Sequence, residues 1–449
     1  MIRTVLIANR GEIALRVART CRELGLRTVA VYSAADQDSA VVRFADRAVR
    51  IGPPDARRSY RNAAAIVEAA RQSGADAIHP GYGFLSEDAG FAEICEDHGI
   101  TFIGPPASVM AALADKTAAR AAAVAAGLPV LLGSGSEVSS RADAVRAARE
   151  IGYPLIVKAA AGGGGRGMSV VRDPAGLDAA YESTRATAQA LFGDGRVYLE
   201  RYLESARHVE VQILCDTHGN AVHLGERDCS VQRRHQKLIE ETPSPALPSG
   251  LRDRLGEAAV RAARAMGYVG AGTFEFLVDD AGDFAFLEVN CRIQVEHPVT
   301  EMVTGMDLVA EQLRIADGTP LAVRQADIAF RGAAIECRVN AEDPERNFAP
   351  TPGRLREFVA PGGPFTRVDT HAYPGWVVTP DYDSLLAKVV VWAPDRNAAI
   401  ARMDRALGEF RVRGDGVHTT IGFLREVIAH PSFRAGRHRT SLVDNLRAS

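Results

Sequence analysis

Residues 162–167 read Gly-Gly-Gly-Gly-Arg-Gly. Four adjacent glycines leave the backbone free of side chains, so its amides can lie directly against phosphate oxygens. The run formally fits GxGxxG through Gly162, Gly164 and Gly167, but the Met-Ser-Val-Val that follows is a strand pattern. A dinucleotide fingerprint needs a helix there, and a P-loop needs a closing Gly-Lys-Ser or Gly-Lys-Thr. A strand–loop–strand phosphate lid centred on Gly163, Gly164 and Gly165 remains, with a plain flexible linker as the alternative. Lys158, on the strand entering the loop, is placed to reach phosphate.

A second group is acidic. Glu275 in GTFEFL and Glu288 in FAFLEVN sit on two strand patterns joined by a DDAG turn. The hairpin brings the carboxylates together, with Asn290 on the same face. Charges flanked by apolar residues need neutralising. Oxygen donors without histidine or thiol suit Mg2+ or Mn2+ rather than zinc; a salt-bridged structural pair is the alternative. The third group is NCRIQVEHPVTE at 290–301, where alternation predicts a strand with Arg292, Gln294 and Glu296 on one face. An arginine, an amide and a carboxylate there would hold a small oxyanion and take its proton. His235 and Lys237 in RHQK, and Arg338 in ECRVNAEDP, add cations.

The elements that must position these residues follow from periodicity. Strand patterns at 4–8, 26–33, 75–80 and 100–105 alternate with helical patterns at 12–24, 61–73 and 87–98. Such alternation predicts an open, mostly parallel α/β sheet, over residues 1–114. A helical linker (115–130) leads to a small α+β unit at 131–203, with strands at 151–160 and 196–203, a loop returning into a strand over 162–171 and a helix at 175–192. From 204 to 449 short alternating strands with tight turns predict an antiparallel sheet, closed by helices at 395–409 and 420–429.

Composition narrows the function classes. A net charge of -3 argues against a nucleic-acid-coating protein. No segment reaches the ~18 apolar residues that span a bilayer, and MIRTVLIANRGEI is no signal peptide, so a soluble cytoplasmic protein without a membrane partner is expected. Six cysteines without a CxxC pair suggest neither disulfides nor structural zinc. Of 53 basic residues only four are lysines, Lys116, Lys158, Lys237 and Lys388. Codon bias accounts for the arginines; the four lysines are either chance survivors or positions where a compact point charge is needed.

Lid, paired carboxylates and basic pocket together resemble the ATP-grasp superfamily, and biotin carboxylases within it. The segments that carry the likeness are IANRGEIALR (7–16), HPGYGFLSE (79–87), GGGGRGM (162–168), ERDCSVQRRHQK (226–237), GAGTFEF (270–276), NCRIQVEHPVTE (290–301), ECRVNAEDP (336–344) and YDSLLAK (382–388). The resemblance implies an ATP-grasp fold with an N-terminal α/β domain, a small lid and a C-terminal antiparallel domain. It also implies a ligase that carboxylates biotin on a biotin carboxyl carrier protein, from ATP, bicarbonate and Mg2+ or Mn2+, through carboxyphosphate. That is the first half-reaction of acetyl-CoA or acyl-CoA carboxylase, which places the chain in fatty acid synthesis alongside carboxyltransferase subunits. Carried over by position, Lys116 and Lys158 contact ATP phosphates, and Glu200, Leu203, His208, Gln232 and His235 line the adenine and ribose pocket. Glu275 and Glu288, with Asn290, hold the metal; Lys237, Arg292, Gln294 and the backbone of Val295 bind bicarbonate. Glu296 is the base, Arg338 stabilises the biotin enolate and Tyr82 contacts the ureido ring.

Departures from the family pattern are few. Ala161 stands at a lid glycine, Leu113-Ala114 precede Asp115-Lys116 where Met-Gly is usual, and Cys291 replaces threonine or proline. Arg16, Arg19, Glu23 and Arg367 keep the dimer-contact pattern, so a homodimer is expected, although Pro364 displaces the usual phenylalanine to Phe365. With no MKM biotin-attachment motif, the chain is expected to receive biotin from a separate carrier or to be a piece of a larger carboxylase, of pyruvate or propionyl-CoA for instance. Other ATP-grasp ligases share the lid and carboxylates but not the RRHQK, RIQVEHP and ECRVNAEDP set. A regulatory nucleotide-binding subunit would be expected to lack Glu296 or Arg338.

Overall fold

A computed structural model of the 449-residue chain describes residues 1–160, 167–248 and 250–448. Gly163, Gly164 and Gly165, the centre of the expected lid, lie outside the described residues. The first five strands, β1 (Thr4–Ile7), β2 (Arg27–Ser33), β3 (Arg47–Gly52), β4 (Ala77–His79) and β5 (Thr101–Phe102), form one parallel sheet in the order β3-β2-β1-β4-β5. Every residue of β1 is buried, as expected where helices cover both faces. Asn62 and Asp88 cap the helices Ala63–Ser73 and Ala89–Asp97 by accepting hydrogen bonds from the amides of Ala65 and Phe91. Sequence periodicity did not show β3. It is an edge strand with Arg47 and Arg50 exposed, and such an edge carries no apolar run.

Strand order reverses between β1 and β4, and a crevice forms beyond the carboxyl ends of strands at such a point. Asn9, just past β1, ties the crevice together by donating to the carbonyls of Pro80 (2.7 Å) and Tyr82 (2.8 Å), just past β4. Gly81 between them has φ +63°, and a Cβ there would lie 2.9 Å from Asn9 Nδ2, so only glycine fits.

The small unit holds an antiparallel sheet in which β6 (Leu155–Ala159) lies between β7 (Met168–Val171) and β8 (Val197–Arg201). Leu155, Val157, Tyr181 and Leu199 give it a core of its own. The strand expected from residue 151 starts only at Leu155. A helix, Arg141–Ile151, occupies the preceding stretch, and Gly152 at φ +76° followed by Pro154 ends it.

Beyond residue 204 come β9 (Arg207–Cys215), β10 (Ala221–Arg233), β11 (Gln236–Thr242), β12 (Gly270–Val278), β13 (Phe284–Asn290) and β14 (Ala333–Asn340). They are followed by β15 (Glu342–Asp343), β16 (Ala349–Pro350), β17 (Gly353–Val359), β18 (Thr366–Thr370), β19 (Val377–Val378), β20 (Leu385–Ala393) and β21 (Arg411–Gly414). Eight of them make one antiparallel sheet, β13-β12-β9-β10-β11-β14-β20-β18. Its first half packs Phe274, Phe276 and Phe286 against Leu255 and Ala259 of the helix Leu251–Ala265. In the second half Ile335, Val389 and Val391 pack against Met403 and Leu407 of the helix Arg396–Glu409. Each buried side chain of this size contributes about 1.5–3 kcal/mol, so polar side chains on the sheet stand on a stiff base.

The strand predicted across 290–296 stops at Asn290. Residues 291–296 turn, and His297–Thr304 is a helix with Pro298 in its first turn and Gly305, at φ +74°, closing it. Proline has no amide to give a ladder but suits a helix start, and this decides between the two readings.

Candidate active site

The first half of the large sheet carries a row of charge. Glu288 on β13 pairs with Glu275 on β12, Glu275 with Glu210 on β9, and Glu210 with Arg227 on β10. Residues directly opposite share a face, so three carboxylates and a guanidinium stand side by side. Arg227 is completely buried and donates to Glu210 (2.6 Å), Gln212 (2.8 Å) and Thr300 (2.9 Å).

Lys237 enters this row from β11. Its ammonium gives hydrogen bonds to Glu210 Oε2 (2.6 Å), Glu275 Oε1 (2.9 Å) and Glu296 Oε1 (2.7 Å), matching its three donors. Glu296 is buried at the N-cap position of the helix His297–Thr304, an end that favours a negative charge. Arg338 on β14 donates to its other oxygen at 2.9 Å. The turn at 291–296 achieves the convergence that a strand was expected to provide. Arg292 donates to Gln294 Oε1 (2.6 Å) and to Asn290 Oδ1 (3.0 Å), while Asn290 Nδ2 (2.8 Å) and Gln294 Nε2 (3.2 Å) donate to Glu275 Oε1. Lys237, Arg292, Gln294, Glu296, Arg338, Glu275 and Asn290 therefore form one cluster.

Charge states follow from these contacts. Burial would raise the Glu296 carboxyl, but Lys237, Arg338 and Arg227 outweigh it and hold it well below the usual range. Glu275 is likewise lowered, burial being opposed by Lys237 and His208. Glu210 moves up, first through burial and then through repulsion by Glu296. Farther along the sheet Glu240 and Glu336 face each other across β11 and β14, both fully buried. Arg338 lies 2.5 Å from Glu240, a charge contact without hydrogen-bond geometry. Burial lifts Glu240 to about 7 and Glu336 well above its usual value.

A second group gathers where the small unit faces the sheet. Lys158 on β6 is buried and bonds Glu200 on β8, whose other oxygen accepts from Arg120 at 2.8 Å. Lys116, at the start of the helix Lys116–Ala125, lies 3.8 Å from Glu288. Glu288 thus faces the lysines of this group while its register partner Glu275 faces Lys237. His208 on β9 joins the clusters through a 2.7 Å contact with Glu275 Oε2, and Glu275 raises its proton affinity against the effect of burial. Gln232 pairs with Lys237 in the β10–β11 ladder, His235 is exposed at the turn of that hairpin, and Leu203 is half-buried just past β8. Tyr82 stands apart in the N-terminal crevice, where its hydroxyl bonds Glu12.

Sequence reading missed Glu210, Arg227, Glu87, Glu12 and Glu240. A signal existed for the first, since His208, Glu210 and Gln212 alternate with Val209, Val211 and Ile213 in a strand buried along its whole length. Glu87 accepts from Arg292 Nε and the Cys291 amide, both at 3.0 Å, and local sequence gives no sign of a pairing across 204 residues.

Three family models match consecutive segments: biotin carboxylase, N-terminal domain (residues 1–110); carbamoyl-phosphate synthase L chain, ATP binding domain (115–324); and biotin carboxylase C-terminal domain (336–445). A biotin carboxylase of Nostoc sp. is 51% identical over 442 residues, 98% of each chain. One of the pyruvate carboxylase subunits of Methanothermobacter thermautotrophicus is 51% identical over 447 residues, covering 100% of this chain and 90% of the relative. Among solved structures, the biotin carboxylase domain dimer of Hydrogenobacter thermophilus 2-oxoglutarate carboxylase, bound to MgADP, ADP and bicarbonate, superposes with a TM-score of 0.97. It is 46% identical, covering 100% of this chain and 98% of that one. Similarity that spans every element described above, and the site those elements build, is what assigns the protein: this chain belongs to the biotin carboxylases, ATP-dependent enzymes of the ATP-grasp superfamily.

Proposed function

We propose that the chain carboxylates biotin presented on a biotin carboxyl carrier protein, using bicarbonate activated by ATP as carboxyphosphate. The observation that carries this is Glu296, buried and ionised between Lys237 and Arg338. Lys237 and Arg292 hold the bicarbonate anion, which lowers its own proton affinity, and Glu296 takes its proton. Lys116 and Lys158 hold the nucleotide's phosphates, and His208, Gln232, His235, Glu200 and Leu203 surround its base and sugar. Arg338 then stabilises the biotin enolate and Tyr82 orients the ureido ring.

Glu275 and Glu288 oppose each other in register as oxygen donors, with Asn290 beside them, a set that fits a hard divalent cation. Glu275, Glu288 and Asn290 would hold Mg2+ or Mn2+ there, and the ion would supply charge neutralisation to the transferred phosphoryl group. Residues 1–114, 115–130, 131–203 and 204–449 serve as N-terminal domain, linker, lid and catalytic core with C-terminal domain.

The transferase partner selects the acyl acceptor, and our first choice is acetyl-CoA or another acyl-CoA, with pyruvate favoured by the Methanothermobacter relative. A cytoplasmic homodimer is the working assembly. Among the described residues no helix is long and apolar enough to cross a membrane, and Phe365 is 57% exposed beside the expected contact residue Arg367. The test is phosphate release from ATP and bicarbonate with and without free biotin. Stimulation by biotin is expected; its absence refutes the reading.

A further inference from the structure

Lys388 is the one lysine without a place in the nucleotide and bicarbonate sites. It lies on β20, directly opposite Arg338 on β14, and its side chain is completely buried. Burial of an unpaired ammonium is prohibitive, so its partners define its task. They come from three parts of the chain. Nζ donates to the Val295 carbonyl at 2.8 Å, lies 3.0 Å from Glu12 Oε1 and lies 4.0 Å from Asp369 Oδ2. Glu12 belongs to the helix Gly11–Glu23, and the same oxygen accepts the Tyr82 hydroxyl. Asp369, on β18, is held in turn by Arg367 at 2.6 Å.

The contact with Val295 separates Lys388 from an ordinary buried ion pair. Compensating Glu12 needs no backbone acceptor, yet one ammonium hydrogen goes to the peptide that joins Val295 to Glu296. That peptide is planar, so fixing its carbonyl fixes its plane and the direction in which Glu296 leaves it. A tetrahedral ammonium can serve a carbonyl and a carboxylate on different sides; a guanidinium would present its donors in one plane.

We propose that Lys388 is a positioning residue for the bicarbonate pocket: it holds the Val295–Glu296 peptide in place and, through Glu12, ties that turn to the crevice containing Tyr82. This rests on the biotin carboxylase reading of the site. Biotin-stimulated phosphate release by the unsubstituted enzyme tests that reading separately, and Lys388 is judged by two variants compared with it. Lys388→Met removes the hydrogen bond and strands Glu12; Glu12→Gln/Lys388→Met removes the bond and the Glu12 charge together, while Asp369 keeps Arg367. Both are expected to raise KM for bicarbonate about tenfold, the size of effect typical of residues that orient a ligand-binding group, with KM for MgATP essentially unchanged. Thermal stability lost in the single variant is expected to return in the double one while the bicarbonate defect persists. An unchanged bicarbonate KM in the single variant, or its return to the original value in the double variant, overturns the proposal. If Lys388→Met does not accumulate as folded protein, the charge-neutral double variant carries the same test. Its crystal structure adds a readout independent of turnover: the 291–296 turn should be displaced, and an unmoved turn is equally fatal.

Discussion

Replacing Glu296 by glutamine takes a negative charge from between two cations while leaving the side-chain volume nearly unchanged. Neither cation is stranded. Lys237 keeps Glu210 at 2.6 Å and Glu275 at 2.9 Å, and Arg338 keeps Glu240 at 2.5 Å. Breaking a buried ion pair usually costs about 3–5 kcal/mol because a charge is left unpaired; with those partners retained, a loss of about 1–2 kcal/mol is expected. Turnover should fall far more. A positioned general base contributes about 10²–10⁴-fold, so kcat for biotin-dependent phosphate release should drop by at least 10²-fold. Lys116 and Lys158, the residues proposed for the nucleotide's phosphates, are untouched, and the Kd for MgATP should stay within about twofold. The variant should also alter the acid limb of the stability curve. The folded Glu296 carboxyl lies below its unfolded value of about 4.3, so its contribution is present above that pH and disappears as pH falls through the folded value. Thermal melts from pH 7 down to 3 should therefore begin to draw together for the two proteins below about pH 4. A variant that retains turnover within tenfold would show that another group takes the proton, and the assignment would fail.

Glu240→Gln tests the opposite case. Burial raises this carboxyl to about 7, so stability is full below the unfolded value of about 4.3 and is lost as pH rises through 7. The variant should lose that decline and, by urea denaturation, be about 2 kcal/mol more stable than the parent at pH 8. Arg227→Met should do the reverse, because it leaves the fully buried Glu210 with Lys237 alone; a loss of about 3–5 kcal/mol by the same measurement is expected.

The sequence showed most of the fold because its strands are either largely apolar, like β1, or regularly alternating, like β12 and β13. That the hairpin brings Glu275 and Glu288 together followed from its length; their direct pairing depends on a register shift between Glu275 and Phe276 that the sequence did not show. Where it misled, local pattern competed with one decisive residue. Ile293 and Val295 alternate as a strand would, yet Pro298 turns the segment into a helix start. Long-range charge pairing was out of reach. Nothing near Glu87 announces Arg292, nothing near Glu12 announces Lys388, and the fully buried Glu240–Glu336 pair looks in sequence like ordinary strand carboxylates.

One difficulty in the chemistry resolves from the same contacts. A carboxylate held as far below its normal proton affinity as Glu296 is a poor base, and bicarbonate is a weak acid. The arrangement in this structure is self-neutralised: Lys237 directs all three ammonium hydrogens to carboxylates, and Arg292 gives hydrogen bonds to Glu87, Asn290 and Gln294. An anion entering between them competes for those hydrogens. If that anion is bicarbonate, as proposed, each bond transferred to it from Lys237 or Arg292 makes it more acidic, and each one Lys237 withdraws from Glu296 makes that carboxylate more basic. Both proton affinities move toward each other through one exchange of partners. A divalent cation held at Glu275 would drive the exchange further, since it would compete with Lys237 for that carboxylate. Depressed basicity of Glu296 is on this account a property of the site holding only its own charges, and substrate binding is what lifts it. Lysine suits position 237 for the same reason: an ammonium can pivot from three carboxylates to an incoming anion, where a guanidinium would have to break a planar bidentate contact.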